Sequence, residues 1–97
     1  MKKYFEELTD SRQQGKIKYN LCEVVVMAIV AVTAGAEHWN EIALYCKSKV
    51  DMFRTIYHLE LINGVPSDDT FQRIFAIIRP NEFERCFINW VKSCKGP

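Results

Sequence analysis

Apolar residues recur at helical spacing along almost the whole chain. Tyr4, Phe5 and Leu8 predict a short amphipathic helix over residues 3–8, closed by the polar break Thr9-Asp10-Ser11. Residues 12–19 hold Gly15 and five polar side chains and read as a surface loop or basic arm. From Leu21 to Ala36 the chain is apolar on every face apart from Glu23, and Asn20 followed by Glu23 has capping-box spacing. Gly35 is the expected terminator of that helix, which should form the centre of the core. Trp39, Ile42, Ala43 and Cys46 form the next stripe, and Val50, Phe53, Ile56 and Tyr57 repeat it before a break at residues 59–65.

The segment Gly64-Val65-Pro66-Ser67-Asp68-Asp69 concentrates a turn and a helix start. Gly64 tolerates positive φ, Pro66 pushes Val65 toward an extended conformation, and Ser67 is an N-cap with two carboxylates at the positive end of the helix. Phe71, Ile74, Phe75 and Ile78 then make the buried stripe, leaving Thr70, Gln72 and Arg73 on the wet side. Pro80 stops that helix and opens a last one over residues 81–94, with Phe83, Phe87, Trp90 and Val91 as its buried set. With no strand pattern and no repeat, the fold class is all-α. It is one domain over residues 1–97, an irregular bundle of five or six short helices that allows a helix-turn-helix-like pair.

Composition narrows the function. Ninety-seven residues at 48% hydrophobic content support one core, and a net charge of +1 is far from the overall basicity of a dedicated nucleic-acid binder. DNA affinity would have to come from local clusters: Arg12, Lys16 and Lys18 in an acid-free stretch, and Lys47, Lys49 and Arg54 around Asp51. The four cysteines have no C-x-x-C pairing and fit no zinc spacing with His38 or His58, so reduced thiols in a cytoplasmic protein and no metal site are expected. The apolar run offers roughly 14 lipid-compatible residues where a span needs about 20, so no membrane association is expected. Asp68 and Asp69 diverge by about 100° on a helix and serve the first turn better than an ion. No nucleophile motif, phosphate loop or metalloprotease motif is present, and no catalytic residue is assigned.

The string Phe5-x-x-Leu8-x-Asp10-x-Arg12, Gly15-Lys16, Tyr19-x-Leu21, Ala34-Gly35-Ala36 and Trp39-Asn40-Glu41-Ile42 continues into the Gly64–Phe75 segment, Pro80, Phe83-Glu84, Phe87 and Trp90. In order and spacing it resembles the N-terminal domain that precedes the DDE catalytic domain in bacterial insertion-sequence transposases of the H-repeat-associated (Rhs element) group. The resemblance implies a non-catalytic helical module that assists DNA binding or transpososome assembly. The divalent-metal carboxylates would lie downstream of this chain, which needs no cofactor of its own. The partners it implies are the element's terminal-repeat DNA, the catalytic domain and a second copy of the chain. The DNA-contacting set is then Thr70, Gln72 and Arg73, with Lys16, Lys18, Lys47, Lys49 and Arg54 on phosphates. The alternative is a docking or oligomerisation domain without DNA contact, using exposed apolar residues such as Phe5, Tyr57 or Val91.

Overall fold

The computed structural model describes residues 1–12, 15 and 17–94, and every regular element among them is helical. A 3-10 turn at Lys2–Phe5 is followed by α1 (Leu21–Thr33), α2 (Trp39–Ser48), α3 (Val50–Thr55), α4 (Asp68–Ala76) and α5 (Pro80–Cys94). The all-α reading holds. The first element differs from expectation: four residues of 3-10 turn replace a helix through Leu8, and Phe5 and Leu8 drop directly into the core instead of continuing a stripe.

Central to the packing is α1, because a helix apolar on all sides has no face to give to water. Asn20 Oδ1 accepts the Glu23 N–H at 3.0 Å, and beyond the last turn the Ala36 N–H returns to the Ala31 carbonyl at 3.0 Å across Gly35, whose φ is +110°. Around it pack α2, α4 and the 3-10 turn, while α5 lies on the outer side of that turn. Val24, Val25, Val26, Met27 and Ala31 of α1 meet Phe5, Cys46, Phe53 and Phe71 in one buried cluster.

A chain of aromatic rings runs along its edge. Trp39 is 5.4 Å from Phe75, Phe75 6.3 Å from Phe83, and Phe83 6.1 Å from Phe5. The expected buried set of α5 is only partly enclosed. Phe83, Trp90 and Val91 are half-buried, Phe87 is 37% exposed, and the residue of this helix that reaches the core is Cys86. Among the described residues no helix is long and apolar enough to cross a membrane.

The expected helix pair does meet, since α4 packs on α2. It is not joined by a tight turn, because α3 and residues 56–67 intervene. Within that connection His58 and Leu61 hold positive φ, at 59° and 47°.

Candidate nucleic-acid interface

The wet side of α4 faces the arm that precedes α1. Ser67 caps α4 by accepting the Thr70 N–H at 3.3 Å, and the Thr70 hydroxyl in turn accepts the Arg73 guanidinium at 3.4 Å. That contact holds Arg73 one turn beyond the cap, over the groove between α4 and the arm. Arg12, Lys18, Tyr19, Thr70, Arg73 and Ile77 line this groove, whose volume is about 430 Å³. Three cationic side chains from two distant stretches of sequence therefore share one concave surface. They are not electrostatically equal. Arg12 forms a forked pair with Asp10, Nε to Oδ1 at 2.9 Å and a terminal nitrogen to Oδ2 at 2.7 Å, and that hydrogen-bonded pair holds the Asp10 carboxyl below its ordinary range. Lys18 is exposed, its ammonium 5.5 Å from the centre of the Tyr19 ring. Among the described residues no carboxylate pairs with Lys18 or Arg73, which carry the groove's free charge.

The remaining expected contacts fall elsewhere. Gln72 is exposed on α4 but does not line the groove. Lys47 and Lys49 sit at the α2–α3 corner, also outside it. Arg54 is committed to the backbone, donating to the Glu60 and Leu61 carbonyls at 3.3 and 3.0 Å. Lys16 lies outside the described residues. Arg12 belongs to the basic cluster expected to supply DNA affinity, whereas Tyr19 and Ile77 were absent from every expected contact; Tyr19 lies in the same acid-free stretch and Ile77 is an apolar residue displaced from the α4 stripe.

A second cleft, of about 310 Å³, lies on the other side of the arm. Lys18 and Tyr19 line it as well, together with Lys2, Glu23, Ile62 and Asn63. Glu23 is the one buried charged residue among the described residues, and it departs from the expected capping box: its carboxylate accepts the Glu60 N–H at 2.6 Å and the Leu61 N–H at 3.2 Å. Lys2 stands 3.8 Å from the same carboxylate.

The apolar surface is also not where the sequence placed it. Phe5 is fully buried, and Tyr57 and Val91 are half-buried. Instead Val32, Trp39, Phe75 and Phe87 border an apolar groove of about 260 Å³ between α1, α2, α4 and α5. Among the described residues no three His, Cys, Asp or Glu side chains converge as metal ligands would. The thiols of Cys22 and Cys46 are pushed up to about 11 and about 12 by burial, the state of inert structural cysteines.

The chain has clear sequence relatives. Over 97 residues the chain is 34% identical to the "H repeat-associated putative transposase YhhI" of Escherichia coli K12, covering 97% of this chain and 25% of that protein. It is 34% identical over 91 residues to "Putative transposase YncI" of Escherichia coli O157:H7, covering 94% and 23%. It is also 31% identical over 79 residues to the "Inactive transposase YbfQ" of Escherichia coli K12, where the match takes in 78% of this chain and 92% of the relative. The chain thus spans about a quarter of the length of the first two relatives. No solved structure matches it significantly. Residues 2–91 match the family described as DDE_Tnp_1-associated, and the chain belongs to that transposase-associated family.

Proposed function

We propose that this domain is a non-catalytic DNA-engaging module of an insertion-sequence transposase, holding duplex phosphates in the groove between α4 and the arm. The supporting observation is the convergence of Lys18 with Thr70 and Arg73 on one concave surface beside Arg12. Such a site suits the backbone of DNA, where each neutralised phosphate releases counterions, and it explains how a chain of net charge +1 could bind a polyanion locally. In this reading Gln72, exposed on the same helix, meets base edges while the groove holds the backbone. Lys47 and Lys49, at the α2–α3 corner, would meet a separate stretch of duplex. The divalent ion used by the family's chemistry belongs in this reading to the catalytic region, and cytoplasmic location follows from the DNA partner.

The test is a fluorescence anisotropy titration against terminal-repeat duplex and scrambled duplex at two salt concentrations. Salt-sensitive binding is expected, with Lys18→Ala and Arg73→Ala each flattening the slope of log K against log salt by about 0.9. Lys47→Ala is expected to change it less. Absence of binding at low salt overturns the reading.

A second reading has an observation of its own. The apolar groove bordered by Val32, Trp39, Phe75 and Phe87 has the character of a protein contact, and a transposase catalytic region is the occupant that the family context favours. Association with that region that survives Lys18→Ala and Arg73→Ala, in the absence of DNA binding, would favour docking over DNA engagement.

A further inference from the structure

Ile62 is the most exposed large apolar side chain of the described residues, at 80%. A single exposed isoleucine needs no explanation. This one differs in how firmly its backbone is held. The buried Glu23 carboxylate accepts the N–H groups of Glu60 and Leu61, and the Arg54 guanidinium donates to the carbonyls of the same two residues. Asn63 Nδ2 donates to the Lys18 carbonyl at 2.7 Å, tying the turn to the basic arm, and Gly64 N–H closes on the Leu61 carbonyl at 3.0 Å. Leu59 and Leu61 anchor the turn in the core at 3% and 2% exposure, with Leu61 at a φ of 47°. A buried acid, an arginine and a left-handed leucine thus fix a rigid tip whose outward side chain is purely apolar. That tip shares its cleft with Lys2 and Lys18, and Lys18 also lines the Arg73 groove.

We propose that Ile62 is an apolar wedge that presses into the minor groove of DNA, beside phosphates held at Lys18 and Arg73. The inference rests on the DNA-engaging reading above and adds to it a mode of contact and a preference. Apolar side chains wedged at a base step unstack it and bend the duplex, and pyrimidine–purine steps such as TA yield most readily. Rigidity is what such a wedge requires, because a mobile tip would fold back against the protein before it opened a stack.

The experiment titrates the 97-residue chain against two duplexes that differ only in a central TA step or an A-tract, each carrying a terminal fluorophore pair that reports bending. The wild-type chain is expected to prefer the TA duplex and to bend it. Ile62→Ala, at a site too exposed to affect folding, is expected to lose about tenfold in affinity for that duplex, together with the bend and the preference, while the salt slope stays unchanged. Lys18→Ala, by contrast, is expected to flatten the slope and keep the preference. Wild-type binding that Ile62→Ala leaves intact in affinity, bend and preference overturns the wedge and spares the DNA reading. A wild-type chain that binds neither duplex overturns both. An Ile62→Ala variant that binds DNA normally but loses self-association assigns the tip to a protein contact and overturns the wedge.

Discussion

The two longest helices bury their residues very differently. Nine of the thirteen residues of α1 are buried, whereas of the fifteen in α5 Cys86 alone is. Yet α5 has the cleaner amphipathic pattern, and α1 has almost none, because nearly every position is apolar. Amphipathicity reports that a helix has a dry side; it does not report how much neighbour is available to cover it. With α2, α4 and the 3-10 turn around it, α1 is covered along most of its length, while α5 packs chiefly on that turn and leaves Phe87 at the edge of an apolar groove.

The strongest way to break this comparison is truncation at the centre. Met27→Ala, at a site 1% exposed, is expected to cost about 2–5 kcal/mol in urea unfolding, since little around it can collapse into the void. Next comes Glu23→Ala, expected to cost about 1–3 kcal/mol by leaving two backbone N–H groups without their acceptor. Glu23→Gln, which keeps one acceptor oxygen, should lose less. For α5, Phe87→Ala is expected to cost about 1 kcal/mol, given its exposure and its remaining contacts with Phe83 and Trp90. Equal losses at Met27 and Phe87 would mean that α5 is seated as firmly as α1.

The smallest effect concerns the clamp at the start of α5. The Glu82 carboxylate accepts both the N–H and the hydroxyl of Thr9 at 2.9 Å, and those bonds lower its pKa. A folded-state pKa below the unfolded one contributes stability that is present above the ordinary carboxylate range and is lost as pH falls through the lowered value. Asp10, lowered by Arg12, acts in the same direction. Acidification from neutral pH is therefore expected to destabilise the chain, and Glu82→Gln to melt slightly lower at pH 7 while losing less on acidification. Identical acid profiles for the two proteins would remove the clamp from the account.

Local signals in the sequence held at the caps and glycine turns. Asn20, Ser67, Gly35 and Gly64 perform the capping and turning their residue types suggest, because each satisfies backbone groups a few positions away. Glu23 shows where that logic ends. Its spacing from Asn20 suits a capping box, but its carboxylate serves N–H groups 37 and 38 residues away, a partnership only the tertiary fold creates. The groove has the same character. Lys18, Thr70 and Arg73 were legible as candidates one by one, whereas their convergence, and the diversion of Arg54 to the backbone, depended on how α4 meets the arm. Lys47 and Lys49 had equal standing by charge alone, and the fold put them at another corner.

The Thr9–Glu82 clamp has a kinetic consequence. It joins residues 73 apart in sequence, so the loop it closes encloses every other helix. The α1–α2 hairpin, connected by a few residues, can collapse early at small entropic cost, while the seam under α5 must wait until the intervening chain is in place. α5 is then expected to dock last during folding and to leave first during unfolding. The chain's refolding rate should accordingly report on the hairpin, and its unfolding rate on the seam.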